Sequence, residues 1–208
     1  MSAIENAANR ALAALAPPGL LTGCRSIRPG DARYLLPAER ASIATREPGA
    51  RTASGTGRRV AHELLRRLGY VDLAILRGRA GAPIWPAGAV GSIAHDDEVA
   101  VAVAARAASV ASLGIDIEPA LPLPSELGKM VIAPRDRLGD LDPGIGGRVL
   151  FAAKEAVYKA SFPLDGRMLD FEDIAVDLET GEAVTSSGLR LSVRFTIFPK
   201  VLALAQAA

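Results

Sequence analysis

From Ala82 onward the apolar residues of this chain stop recurring at helical spacing and fall into short runs rich in Val, Ile and Ala. That switch of period limits the possible folds more than any other feature, because a strand-patterned stretch cannot bury its apolar face as a helix. Ala89 to Ala94, Glu98 to Ala105 and Ser109 to Glu118 read as three strands. Turn signals at Asp96-Asp97 and around Ala107 predict an antiparallel meander. Upstream, the pattern gives a helix over residues 4–16, a strand from Leu20 to Ile27 and a short helix from Leu36 to Ala44 opened by Pro37. A Gly-, Ser- and Thr-rich loop from Gly49 to Gly57 then leads into a helix from Arg58 to Leu68 closed by Gly69. Downstream, Pro119 to Pro124 is a proline-spaced connector followed by a weak helix. Pro134 to Gly147 reads as a loop, and Arg148 to Ser161 as a helix that Pro163 ends. Strands at Ile174 to Leu178, Leu189 to Thr196 and Val201 to Ala205 follow, with a turn at Glu179-Thr180-Gly181. This order predicts an α+β fold of two halves, residues 1–112 and 113–208.

The charge balance narrows the function. Half of the 208 residues are apolar, enough to bury a core, and 24 basic against 23 acidic residues leave a net charge of +1. Nucleic-acid binding needs many uncompensated cations and is excluded as the main activity. A single cysteine, Cys24, excludes an internal disulfide framework and a cysteine-based zinc site. The longest wholly apolar run, Val99 to Ala105, is too short to cross a bilayer. Near the N-terminus, Glu5 and the Pro17-Pro18-Gly19 stop argue against an export signal, so a cytoplasmic protein is expected.

Several residues carry chemical potential. In Gly114-Ile115-Asp116-Ile117-Glu118 the two acids point to one face of a strand and the isoleucines to the other. Paired acids repel unless a cation lies between them. Two readings stay open: a solvated strand end, or a seat for a hard divalent ion such as Mg²⁺. Only four lysines stand against 20 arginines, which draws notice to Lys154 and Lys159. Glu155 and Lys159 are one helical turn apart, flanked by Phe151, Tyr158 and Phe162, with Leu150, Ala153, Val157 and Ala160 facing the core. They form either a surface salt bridge or a general base beside a phosphate partner. His95 ends a strand, where it can donate to a phosphate or make a structural hydrogen bond; His62 reads as a partly exposed surface residue. Arg51, Arg58, Arg77 and Arg79 offer forks suited to phosphate oxygens. Ser54-Gly55-Thr56-Gly57-Arg58-Arg59 lacks the Gly-Lys-Ser/Thr ending of a P-loop and is not one.

Taken together, these strings resemble the Sfp-type 4′-phosphopantetheinyl transferases, especially their enterobactin-synthase-component branch. The resemblance runs through Pro83-Ile84-Trp85-Pro86, Gly91-Ser92-Ile93-Ala94-His95, the Gly114–Glu118 string and Lys154-Glu155-Ala156-Val157-Tyr158-Lys159. It continues into Phe162-Pro163 and Leu169-Asp170-Phe171-Glu172-Asp173. It implies a pseudo-twofold pair of similar α+β halves in a monomer, with coenzyme A in the cleft between them. The first half would make the adenosine-phosphate contacts, and the second would carry the metal and catalytic residues. The implied reaction is Mg²⁺-dependent transfer of phosphopantetheine from coenzyme A to a serine of an apo acyl or peptidyl carrier protein, as in siderophore or polyketide biosynthesis. Asp116, Glu118 and Glu155 would hold Mg²⁺, with Glu155, Lys159 and His95 as the catalytic set. Ser92, His95, Lys154 and Lys159 would contact coenzyme A phosphates, and Arg51, Arg58, Arg77 and Arg79 its adenosine bisphosphate end. Ala53 and Ser54 depart from the acidic–aromatic pair usual in the family. The other reading is a homologue that binds coenzyme A or a carrier without catalysis; the intact Asp116, Glu118, Glu155 and Lys159 speak against it.

Overall fold

A computed structural model describes residues 1–43 and 47–207, which form two compact units, Met1–Ser109 and Val110–Ala208. The architecture is α+β throughout. The first unit contains α1 (Ala3–Leu15), β1 (Leu21–Ser26), α2 (Pro37–Ser42), α3 (Pro48–Arg67), the two-residue strands β2 (Leu76–Arg77) and β3 (Pro83–Ile84), β4 (Ala89–His95) and β5 (Val99–Arg106). The last residue of the expected Leu36–Ala44 helix lies outside the described residues. β5 is the middle strand of an antiparallel sheet in the order β1-β5-β4, and Val99 to Ala105 are all fully buried. α3 packs on this sheet through Val60, Ala61, Leu64 and Leu65 against Ala102 and Ala104.

α3 begins ten residues before the expected Arg58, so the Gly49–Gly57 loop is helical. Pro48 takes the first helical position, and the Glu47 carboxylate accepts from Ala50 N–H at 2.5 Å. Tertiary contact explains why weak helix formers sit there. A Cβ at Gly55 would stand 2.2 Å from the Asp31 carbonyl oxygen, and Thr56 donates its hydroxyl to Asp31 Oδ2 at 2.9 Å. Small residues are needed for the approach, and packing overrides propensity.

A buried carboxylate joins three elements of this unit. Glu39 on α2 is fully buried and accepts from Leu36 N–H, Ile75 N–H and His62 Nε2–H, each at 2.8 Å. His62 is therefore partly exposed as expected, at 14% of its side chain, but it is bound as a partner of the buried Glu39. Burial pushes the Glu39 carboxyl up, but the bonds from His62 and the two amides outweigh it and hold the group below its ordinary range.

The second unit contains β6 (Ser112–Glu118), α4 (Ser125–Val131), α5 (Pro143–Asp165), β7 (Ile174–Asp177), β8 (Glu182–Thr185), β9 (Arg190–Thr196) and β10 (Val201–Ala207). Its sheet is antiparallel in the order β6-β10-β9-β8-β7. The expected three-strand meander is thus corrected. β5 already has β1 and β4 on its two edges, and a strand has no third; β6 pairs with β10, placing Asp116 opposite Ala203. β8 is a four-residue strand that escaped the sequence pattern.

α5 crosses this sheet with Val149, Leu150, Ala153, Ala156, Val157 and Ala160 fully buried. It starts at Pro143, inside the expected Pro134–Gly147 loop, because Asp142 caps Gly144 N–H and Ile145 N–H. It also runs past Pro163 to Gly166, whose φ of 67° closes the helix. The approach to β6 is as close as backbones permit: a Cβ on Gly114 would fall 1.8 Å from the Ala156 carbonyl oxygen.

Two outcomes follow from these contacts. Gly114→Ala should cost at least the 1–3 kcal/mol typical of overpacking, about 3 or more here because both surfaces are backbone; urea denaturation measures it. The Glu39 carboxyl lies below its unfolded value, so its charge stabilises above the ordinary carboxylate range and ceases to do so as pH falls through the folded value. The stability gap between the protein and Glu39→Gln should be full at pH 7 and narrow below roughly pH 4. A pH-independent gap would show that shape alone holds this junction.

Candidate active site

Asp116 and Glu118 leave β6 on one face, while Ile115 and Ile117 are buried on the other. Arg148, Glu155 and Lys159 recur at seven and then four residues along α5, so they share a face of that helix. The Gly114 contact lays one row over the other. Lys159 Nζ donates to Asp116 Oδ1 at 2.5 Å and to the Ile115 carbonyl at 3.3 Å. Arg148 donates to Glu118 Oε2 at 2.6 Å, and its remaining nitrogens to the Leu121 and Pro122 carbonyls at 3.2 and 3.3 Å. Sequence reasoning missed Arg148; in a chain with 20 arginines nothing local marks it.

The carboxylates feel one another. Burial, then the charge of Asp116, pushes the Glu118 carboxyl above its ordinary range in spite of Arg148 and Lys159. Burial also pushes Glu155 up, and the Asp116 and Glu118 charges add to this against the pull of Lys159. Such a half-buried glutamate, raised and flanked by a lysine, is suited to take a proton.

Among the described residues, no three His, Cys, Asp or Glu side chains stand close enough as placed to hold a metal ion. Asp116 and Glu118 are instead drawn onto Lys159 and Arg148. The donor chemistry nevertheless fits a hard divalent cation, since Asp116, Glu118 and Glu155 lie near enough for their charges to act on one another and a cation would relieve that repulsion. Glu155 also forms part of the wall of a cavity of about 520 Å³, with Met130, Tyr158, Met168, Phe171 and Glu172.

Lys154 is placed differently from the expectation. It is fully buried, and its ammonium donates to the Val131 and Phe171 carbonyls at 2.8 Å each and pairs with Asp136 Oδ2 at 2.6 Å. Three protons meet three protein acceptors, which leaves none for a coenzyme A phosphate.

In the first unit, Arg58 is 7% exposed, and its Nε donates to the Ile75 carbonyl at 3.0 Å, which fixes the guanidinium. Arg77 is exposed and close enough for its charge to act on Arg58. Arg51 and Arg79 are exposed, the former on the first turns of α3, and Ser92 is buried in β4. His95 is exposed in the wall of a second cavity of about 580 Å³, together with Arg28, Thr52 and the start of α3. Arg28 was not singled out from the sequence. No helix of the described residues is long and apolar enough to cross a membrane.

Comparison with known proteins adds an independent finding. Residues 38–105 match the family model of the 4′-phosphopantetheinyl transferase N-terminal domain, and residues 112–200 match that of the 4′-phosphopantetheinyl transferase superfamily. The chain is 43% identical over 155 residues to the 4′-phosphopantetheinyl transferase Svp of Streptomyces mobaraensis, which covers 71% of this chain and 63% of that protein. To PptT of Mycobacterium tuberculosis it is 39% identical over 150 residues, 70% of this chain and 66% of the relative. Enterobactin synthase component D of Escherichia coli is 35% identical over 126 residues, 57% of this chain and 59% of that protein. The chain thus spans less than two thirds of each of these relatives.

The Arg148–Glu118 pair is 13% and 21% exposed at its side chains. It falls between an exposed bridge, worth at most about 1 kcal/mol, and a buried one, whose severing costs about 3–5 kcal/mol. Arg148→Met should therefore lose about 1–3 kcal/mol in urea denaturation. Adding Glu118→Gln should recover part of that loss by removing the stranded charge.

Proposed function

The chain belongs to the 4′-phosphopantetheinyl transferase superfamily, and on that premise we propose that it transfers the 4′-phosphopantetheine group of coenzyme A to a serine of an apo carrier protein, releasing adenosine 3′,5′-bisphosphate. The observation that carries this reading is the row of Asp116, Glu118 and Glu155 between Lys159 and Arg148 at the contact of β6 with α5.

In this mechanism Glu155 accepts the proton of the carrier serine hydroxyl, whose oxygen attacks the phosphorus that bears the pantetheine arm. A new P–O bond forms to serine as the pyrophosphate P–O bond breaks, and the electron pair leaves with the adenosine bisphosphate. Lys159 supplies a fixed ammonium beside that developing charge. Asp116, Glu118 and Glu155 are the residues that would hold Mg²⁺; when bound, the ion supplies the positive charge that lets a pyrophosphate approach carboxylates. In the first unit, the preset Arg58 with Arg77, Arg51 and Arg79 would hold the adenosine bisphosphate end, and His95 and Ser92 the phosphates.

The test is to mix the protein with a panel of apo acyl and peptidyl carriers, coenzyme A and Mg²⁺, and to record intact carrier mass. A gain of one phosphopantetheine, abolished by EDTA, is expected. Glu155→Gln should lower transfer by the 10²–10⁴-fold typical of a lost general base, about the upper end here, with its thermal midpoint retained. Near-normal turnover in that variant would overturn the mechanism. No gain on any carrier, with coenzyme A still raising the melting temperature, would favour a binding-only homologue.

A further inference from the structure

Lys154 and Glu155 are neighbours on α5 and both line the cavity described above, but only Glu155 belongs to the row of carboxylates. Lys154 turns inward to Asp136, and both side chains are wholly shielded from solvent. Asp136 is itself fully engaged. Its Oδ2 also accepts from Ala133 N–H at 2.7 Å, and its Oδ1 accepts from Val176 N–H at 2.9 Å. Backbone bonds reinforce the junction, with Arg137 N–H donating to the Val176 carbonyl and Leu178 N–H to the Arg137 carbonyl. The pair thus ties α5 to the end of α4 at Val131, to the segment 133–137, to the 3₁₀ turn Phe171–Asp173 and to β7.

We propose that the Lys154–Asp136 pair is a positioning device that holds the walls of the cavity beside Glu155 in register with that glutamate. Three of the tied segments supply cavity walls: Met130 lies next to the anchored Val131, Phe171 is anchored through its own carbonyl, and Ile174 opens β7. Desolvating two charges largely cancels the gain from pairing them, and apolar side chains of equal volume stabilise as well or better. Stability therefore gives no reason for a lysine here. Only an ammonium with three directed donors can hold two carbonyls from separate segments and a carboxylate at one point. An apolar chain would fill the volume and let the walls shift. This inference rests on Glu155 being the proton acceptor of the transfer reaction, and it makes Lys154 a positioning residue, not a phosphate contact.

The test uses the full chain with Lys154→Met and Asp136→Asn together, which keeps volume and leaves no stranded charge. Two readouts are taken. Hydrogen exchange should quicken tenfold or more for amides in 130–137 and 168–176, while those of α5 and β10 keep wild-type protection. In steady-state transfer, KM for coenzyme A or for the carrier should rise tenfold or more, the other KM staying within twofold and kcat within threefold. A merely structural role would lower the active fraction, and with it kcat, at unchanged KM. If the double variant does not fold, Lys154→Arg replaces it: its planar fork retains the charge yet cannot meet the same three acceptors, so the same exchange and KM pattern is expected. Unchanged exchange, or altered exchange with both KM values as in the wild type, overturns the proposal. Absence of transfer by the wild type overturns the functional reading instead, and exchange alone then decides whether the pair holds the walls.

Discussion

The second unit depends on two backbones touching. At Gly114 the strand β6 gives up its side chain so that the Ala156 turn of α5 can rest on it, and Lys159 and Arg148 make their polar contacts with β6 from the helix brought close by that approach. Lys159 reaches both the Ile115 carbonyl and Asp116 because the helix lies so near. The buried face of α5, rich in alanine, follows from the same need, since larger side chains would hold the helix away from the sheet. Geometry and packing are therefore one requirement here.

On this base the charges are arranged in sequence along the contact. Three carboxylates occupy the middle, a guanidinium stands at one end and an ammonium at the other. Burial and mutual repulsion lift Glu118 and Glu155, while the two cations keep the set from being intolerable in a half-buried place. A site so poised is short of positive charge, which suits the proposed transfer, in which the substrates would bring phosphates and Mg²⁺ would bring the balance.

Much of this was legible from spacing. The i,i+2 acids on a strand and the i,i+4 acid–lysine pair on a helix declare their shared faces without help from the fold. The α+β order and the two-fold division into helix-plus-strand groups were also readable, because hydrophobic period reports them directly. What spacing could not give was contact between distant segments. Gly55 looks like loop until the Asp31 carbonyl is known to press on it. β6 looks like the next strand of a meander until β5 is seen to have both edges filled. His62 looks like a partly exposed surface residue and Lys154 like a phosphate contact, since nothing near them in sequence announces Glu39 or Asp136 as partners. Arg148 was hidden by the abundance of its own kind.

Arg148, Glu155 and Lys159 all ride on one uninterrupted helix. A slip of α5 by a single residue would advance it about 1.5 Å and rotate it about 100°, carrying all three away from β6 at once. The apparatus has no loose member that could drift while the others stay. Its natural failure is collective, so warming should extinguish turnover at the same point at which the sheet beneath the helix melts, without a folded but idle form in between.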